Sequence, residues 1–224
     1  ILSLLMLFSE VLGLPHIKNH LTTTVDNNRI PHAQLFVGST GSGTLPMAIA
    51  YAQYVLCGNT NAENNSGREA CNLKMNKLAH PDLHFAFPVA NNDKIKKSAV
   101  SSHFSEEWRQ FILEDPYGSL FDWYQKLGIE NKQGKIGVDE ALEIVKSLSL
   151  KSYEGGYKVM IIWMPEKMND SAANKLLKLI EEPPQKTLFI LITEEEENII
   201  QTIRSRCQTL HFPPLTEAVI AEGL

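Results

Sequence analysis

The chain contains the segment Leu35-Phe36-Val37-Gly38-Ser39-Thr40-Gly41-Ser42-Gly43-Thr44-Leu45, which has the glycine spacing of a phosphate-binding loop. Such a loop reads Gly-x4-Gly-Lys-[Ser/Thr], lies between a strand and a helix, and holds nucleotide phosphates on its backbone amides. The apolar residues before Gly38 can form the strand, and residues 47–56 are apolar enough to form the helix. The segment therefore predicts an α/β fold of the P-loop NTPase type.

The two residues that give a phosphate-binding loop its chemistry are missing. Thr44 stands where a lysine normally reaches the β- and γ-phosphates, and Leu45 stands where a hydroxyl normally ligates Mg²⁺. Threonine carries no positive charge, and leucine offers no metal ligand. We therefore expect Gly38, Gly41, Gly43 and Thr44 to keep the shape of a cofactor-binding loop without functioning as one.

A second apolar run, Lys158-Val159-Met160-Ile161-Ile162, predicts another buried strand of a parallel sheet. In a P-loop NTPase this strand ends in an Asp that holds Mg²⁺, often followed by a Glu that orients the attacking water. Trp163 and Met164 occupy these positions, and Glu166 follows only after a proline. We interpret Glu166 as a solvated carboxylate at a helix start. The glycine loop and the end of this strand have thus both lost the residues that bind Mg-nucleotide and support its hydrolysis.

Outside these two motifs, several segments occur in an informative order. They are residues 8–13, 29–36, 80–85, 152–159, 167–184 and 202–207. Within them, the run Asn174-x-Leu-Leu-Lys followed by Glu-Glu-Pro-Pro, and the triplet Ser205-Arg206-Cys207, are the most specific. With these segments, residues 6–215 resemble the first domain of the delta-prime family of bacterial clamp-loader subunits, which belongs to the AAA+ superfamily.

The resemblance implies a domain organisation. Residues 6–215 are expected to form an AAA+ ATPase-like domain, in which a parallel sheet is flanked by helices. Residues 91–134 have no counterpart in the family pattern and are expected to form a helical insert. Residues 216–224, with Thr216 as helix N-cap, are expected to begin a truncated helical lid domain. Met6 is the expected natural start.

The resemblance also implies a function. Delta-prime chains often lack a working nucleotide site, so we expect a non-catalytic subunit without a cofactor or intrinsic ATPase activity. In the family, the arginine of the Ser-Arg-Cys triplet projects into a neighbour's ATP site, which assigns this role to Arg206 with Arg204 as its rival. The implied partners are the motor (gamma/tau) and delta subunits, and through the complex the sliding clamp and primed DNA. The alternative is a nucleotide-binding or weakly active ATPase subunit of the same family.

Composition sets broad limits. The 224 residues are 43% hydrophobic and 21% charged, which suits one large α/β domain. The net charge of -5 argues against a free-standing DNA-binding protein, which would usually have a basic face. No apolar run approaches the roughly 20 residues of a membrane-spanning helix, so we expect a cytoplasmic protein without membrane contact.

Two of the three cysteines stand where relatives in the resembled family begin a zinc module. Cys57 and Cys71 fall at the first two ligand positions of such a thiolate site. Lys74 and Lys77 occupy the third and fourth positions and would repel the cation. We therefore expect no metal site.

Two alternatives remain for these cysteines. His80 and His84 are near enough in sequence to complete a ligand set, although the family pattern already accounts for both. A Cys57–Cys71 disulfide is sterically conceivable, but we do not expect it in a reducing cytoplasm.

The remaining pattern alternates strands with helices, as in a parallel α/β sheet. Strands are predicted at 35–37, 83–87, 159–162, 187–192 and 208–212, and helices at 17–27, 45–57, 138–148, 169–181 and 197–203. In the insert, two sets of apolar residues each share a helical face. These sets favour a helical pair packed on the main domain over a surface for a partner; they are Trp108, Phe111 and Ile112, and Leu120, Trp123, Tyr124 and Leu127.

Overall fold

A computed structural model describes residues 7–58, 65–153 and 156–223. The strands are β1 Ala33–Val37, β2 Leu83–Ala86, β3 Lys158–Trp163, β4 Thr187–Thr193 and β5 Gln208–His211. The helices are α1 Pro15–Asp26, α2 Thr44–Cys57, α3 Asn65–Asn76, α4 Ser105–Glu114, α5 Leu120–Leu127, α6 Val138–Ser149, α7 Asp170–Glu181, α8 Gln201–Arg204 and α9 Glu217–Gly223. Short 3₁₀ turns span Ser101–Phe104, Pro165–Lys167 and Glu196–Asn198.

The five strands form one parallel sheet in the order β2-β3-β4-β1-β5. Every residue of β3 and β4 is buried, because helices cover both faces of the sheet. All five strands run in the same direction, so their carboxyl ends share one edge of the sheet. The α/β class predicted from the glycine loop is confirmed.

Two hydrophobic cores lie on opposite faces of the sheet. The strand β3 shows the alternation, since Val159 and Ile161 point into the core with α1 to α5, while Met160 and Ile162 point into the core with α6 to α8. The predicted N-cap of α9 is in place, since the Thr216 hydroxyl accepts the Val219 N–H at 3.4 Å. The helix α7 is capped by the Asn169 side chain, which accepts the Ala172 N–H at 2.9 Å.

The insert is a helical pair packed on the domain, as predicted. Trp108 from α4 and Trp123 from α5 are both buried, with ring centroids 5.0 Å apart in an edge arrangement. Trp108 also contacts Trp163 at the end of β3, with 5.2 Å between centroids. The Trp123 indole N–H donates to the Pro88 carbonyl at 2.9 Å. The side chains of Trp108, Phe111 and Trp123 therefore enlarge the core of the domain, whereas Phe121 of the same insert is 58% exposed.

Two differences from the predicted elements have local causes. The helix predicted at 197–203 is divided into the Glu196–Asn198 turn and α8, because Ile200 has an extended ψ of 134°. The helix α3 was not predicted, since its sequence is mostly polar and has a low density of apolar residues at helical spacing. Met6, the expected natural start, lies outside the described residues.

The expectation that Cys57 and Cys71 remain reduced is wrong, because the two residues form a disulfide. The helix α3 packs against α2 and brings the two Cα atoms to 5.7 Å, which is within the range that a disulfide spans. Cys57, at the end of α2, and Cys71, in α3, are both buried. In the described part of the chain, no group of three or more His, Cys, Asp or Glu side chains is placed to hold a metal ion.

None of the described helices combines the length and the apolar character needed to cross a membrane.

Candidate functional site

The glycine loop has the strand–loop–helix geometry that its sequence predicts. It leaves the carboxyl end of β1, and α2 begins at Thr44 with Gly43 as N-cap in a left-handed conformation (φ 86°). Gly41 is also left-handed (φ 79°). A Cβ on Gly38 would lie 2.4 Å from Ser42 Oγ and 2.9 Å from Phe212 Cβ. The left-handed backbone therefore favours glycine at Gly41 and Gly43, and close packing favours it at Gly38, whether or not a nucleotide binds.

The space above the loop is filled by the insert. A Cβ on Gly43 would lie 3.3 Å from Tyr117 Cε1, so the tyrosine ring lies directly on the loop backbone. The Tyr117 hydroxyl also accepts the Leu12 N–H at 2.9 Å, which gives the side chain a second point of contact. The cavity left between Thr44, Tyr117, Trp163 and their neighbours has a volume of about 20 Å³. That is room for about one water molecule, whereas pockets for drug-sized ligands usually measure about 300–1,000 Å³.

The charge beside the loop is negative. Glu194 lines the same cavity, and its carboxylate accepts a hydrogen bond from the Thr40 hydroxyl at 2.6 Å. Thr44 and Leu45 are both buried, and Leu45 packs into the core. A phosphate would therefore meet a carboxylate and an apolar wall where a working loop offers a lysine.

The interpretation of Glu166 as a solvated carboxylate is wrong. Met164 has a left-handed backbone (φ 57°), and its turn places Pro165–Lys167 against the end of β4. The Thr193 hydroxyl donates to Glu166 Oε2 at 2.9 Å. Burial raises the pKa of Glu166 above its ordinary value, and the Thr193 hydrogen bond opposes that rise. Glu166 is thus a half-buried, hydrogen-bonded carboxyl beside the degenerate site.

Arg206 lies at the opposite edge of the sheet from the glycine loop. It precedes β5 by two residues, and β5 pairs in parallel with β1, with Gln208 opposite Gln34. Four residues of β1, or about 13 Å of strand, separate the level of Gln34 from Gly38. The structure therefore does not bring Arg206 together with the glycine loop of its own chain.

The Arg206 side chain is partly exposed and is held by groups of its own chain. Its Nη1 donates to the Thr202 carbonyl at 2.8 Å, and its Nη2 lies 2.7 Å from Glu181 Oε1. The rival Arg204 is less exposed, and its Nη1 donates to the Glu196 carbonyl at 3.3 Å. Cys207 packs against the core between α7 and α8, where burial raises the pKa of its thiol to about 11.

Sequence reasoning missed three residues of this site. Tyr117 belongs to an insert without a family pattern, so no signal connected it with the loop. Glu194 follows β4 in an acidic run of the kind usually assigned to a solvated surface. Glu181 lies in the Glu-Glu-Pro-Pro run, which served only to identify the family.

The comparison with known proteins rests on most of the chain. Residues 13–216 match the family model described as "DNA polymerase III, delta subunit". The chain belongs to this family. The delta-prime resemblance is confirmed by the delta' subunit of Bacillus subtilis (strain 168), which is 29% identical over 210 residues. That alignment covers 94% of this chain and 50% of the relative.

Two further relatives are also subunits of a DNA polymerase III. The delta' subunit of Escherichia coli (strain K12) is 38% identical over 94 residues, which cover 42% of this chain and 28% of that protein. The tau subunit of B. subtilis is 28% identical over 213 residues, which cover 95% of this chain and 30% of that protein. The chain spans about half the length of the B. subtilis delta' subunit.

Proposed function

We propose that this chain is the AAA+ ATPase-like domain of a non-catalytic delta-prime subunit of the DNA polymerase III clamp loader. The subunit helps to load the sliding clamp onto primed DNA and offers Arg206 to ATP bound by a neighbouring motor subunit. The observation that carries the proposal is the separation of two features. A partly exposed arginine lies at one edge of the sheet, and a filled, degenerate glycine loop lies at the other.

Action in trans follows from that separation. Arg206 cannot reach a phosphate on its own glycine loop, so any nucleotide that it contacts belongs to another chain. Its guanidinium stays charged at all relevant pH values and donates to phosphate oxygens in a planar fork. Arginine fingers supplied in trans raise hydrolysis rates in other NTPases by about 10³ to 10⁵.

Lack of intrinsic hydrolysis is supported by four independent features of the loop. The lysine and the Mg²⁺-binding hydroxyl are replaced by Thr44 and Leu45, the Tyr117 ring covers Gly43, and Glu194 adds negative charge. Each feature alone would weaken the binding of a Mg-nucleotide. Together they make the loop a structural turn between β1 and α2.

The proposed partners are the gamma/tau and delta subunits, with the clamp and primed DNA contacted within the assembly in the cytoplasm. A chain of net charge -5 suits a subunit whose own affinity for DNA is weak.

The test uses the full-length subunit in a reconstituted loader. Clamp- and primed-DNA-stimulated ATP hydrolysis is measured for wild type, Arg206→Ala and, as matched control, Arg204→Ala. We expect Arg206→Ala to lower the rate at least about tenfold with assembly intact, since a trans finger contributes more than that elsewhere. Arg204→Ala is expected to stay near wild type. An unchanged rate for Arg206→Ala would show that Arg206 does not act as an arginine finger, and the subunit would then have only a structural role in the loader.

The second candidate, a nucleotide-binding or weakly active subunit, has one observation in its favour. Ser42 Oγ is buried in the glycine loop and has no hydrogen-bond partner among the described residues. With the amides of 41–44 at the start of α2, it could hold a phosphate oxygen. Titration of the isolated subunit with Mg-ATP separates the two candidates, because binding below millimolar concentration would favour this one.

A further inference from the structure

We infer that Glu181 is a positioning residue for Arg206: it holds the guanidinium so that it faces the neighbouring subunit before ATP is bound. This inference rests on the proposed function of Arg206. Glu181 is the last residue of α7, and its carboxylate Oε1 lies 2.7 Å from Arg206 Nη2. The two residues come from different elements, because α7 covers the sheet and Arg206 lies in the turn before β5.

The contacts fix the plane of the guanidinium from two sides. Nη1 donates to the Thr202 carbonyl at 2.8 Å and lies 3.4 Å from Ser205 Oγ, while Nη2 is paired with Glu181. Arginine has five N–H donors in a rigid fork. The contacts found among the described residues use three of them, which leaves the Nε hydrogen and one Nη2 hydrogen to donate to a phosphate.

The geometry suits orientation better than stability. The two side chains are 38% and 39% exposed, and an ion pair with that much solvent contributes little to folding. A long arginine side chain, however, has considerable rotamer freedom that must be lost when it docks on a phosphate. Glu181 restricts that freedom in advance, so less is lost at the transition state.

A charge-based brake would be the opposite role for the same contact. In that case the Glu181 carboxylate would compete with the phosphate for Arg206, and its removal would raise the rate of hydrolysis. Glutamine distinguishes the two roles, because its amide oxygen can still accept the Nη2 hydrogen but carries no charge. If Glu181 positions Arg206, the Glu181→Gln variant retains most of the rate of ATP hydrolysis. If Glu181 is a brake, the same variant hydrolyses ATP faster than wild type.

The experiment measures steady-state ATP hydrolysis by the reconstituted loader with the full-length subunit. Glu181→Ala is expected to lower kcat on the order of three- to tenfold, with KM for ATP unchanged, because the interaction acts at the transition state. Glu181→Gln should stay within about twofold of wild type, since it keeps the hydrogen bond. Glu182→Ala is the matched control: it removes the same charge one residue later, from an exposed side chain that forms no ion pair in the described part of the chain.

The outcomes separate this inference from the function on which it rests. In an Arg206→Ala background, Glu181→Ala should change nothing further, because the two residues act as a unit. If Arg206→Ala lowers the rate tenfold and Glu181→Ala does not, the positioning role is overturned and the finger stands. If Glu181→Ala and Glu181→Gln both raise kcat, Glu181 is a brake and the inference is overturned. If Arg206→Ala has no effect, both proposals fail. The positioning role would also be overturned if Glu181→Ala lowered both the melting temperature and the rate, and Glu181→Gln restored neither.

Discussion

Replacing Thr44 with lysine is expected to restore binding of Mg-ATP only if Tyr117 is shortened to alanine as well. A lysine at position 44 supplies the missing positive charge, but the cavity of about 20 Å³ above the loop leaves no space for a triphosphate. The Tyr117 ring is what closes this space, since it lies against Gly43 and is anchored on the Leu12 amide. The two substitutions should therefore act together and not separately.

The size of the effect follows from the hydrogen bonds that the new lysine can make. Hydrogen bonds to charged groups contribute about 1.5–3 kcal/mol, which corresponds to a roughly 10- to 150-fold change in Kd. Thr44→Lys/Tyr117→Ala should accordingly bind Mg-ATP about 10- to 150-fold more tightly than Tyr117→Ala alone. Thr44→Lys alone should bind no better than wild type. No hydrolysis is expected from any of them, because Leu45 and Trp163 still offer no ligand for Mg²⁺.

The assay is calorimetric titration of each purified variant with Mg-ATP, after thermal unfolding has shown that it folds. Tyr117→Phe is the matched control, because it keeps the ring over the loop and loses only the hydrogen bond to Leu12; with Thr44→Lys it should remain closed. If Thr44→Lys alone binds Mg-ATP as tightly as the double variant, Tyr117 does not block the loop and the argument is wrong.

Two further predictions concern stability. Burial raises the pKa of Glu140 from 4.5 to about 7, so the unfolded chain loses this proton first and the free energy of unfolding falls as pH rises from about 4.5 to about 7. In urea denaturation, the free energy of unfolding of wild type should fall by about 2–3 kcal/mol between pH 5 and pH 8 relative to that of Glu140→Gln. Glu140→Gln is the matched control, because its amide oxygen can still accept the Ser101 N–H. Parallel pH profiles of the two proteins would contradict this prediction. Reduction of the Cys57–Cys71 disulfide should lower the free energy of unfolding by about 3 kcal/mol, as expected for a closed loop of about 15 residues, and the melting temperature by about 6–12 °C. The measurement is thermal unfolding with and without a phosphine reductant. The reductant should not change the melting temperature of the Cys57→Ser/Cys71→Ser variant, which has no disulfide. If wild type without reductant melts at the same temperature as this variant, the disulfide does not contribute to stability.

The elements of the sheet could be predicted because their signals are local. The five strands were found to within two residues at every boundary. Apolar runs bounded by turns are typical of buried parallel strands and mark β1, β3 and β4, whereas β5 is a short, partly exposed strand. The insert followed from helical spacing of its aromatic residues. The polar helix α3 and the break near Ile200 were missed, because packing rather than local pattern stabilises a helix with few apolar positions.

The sequence by itself determined the fold class, the family and the loss of nucleotide chemistry, because residue identity alone says that Thr44 and Leu45 cannot replace a lysine and a hydroxyl. Only the tertiary structure decided how the site is closed and how the arginine is held. The contacts of Tyr117 with Gly43, of Glu181 with Arg206, and of Glu166 with Thr193 all join residues that are distant in the chain. Such contacts depend on strand order and on the packing of the insert. No local periodicity encodes them, since each residue alone is typical of an ordinary surface.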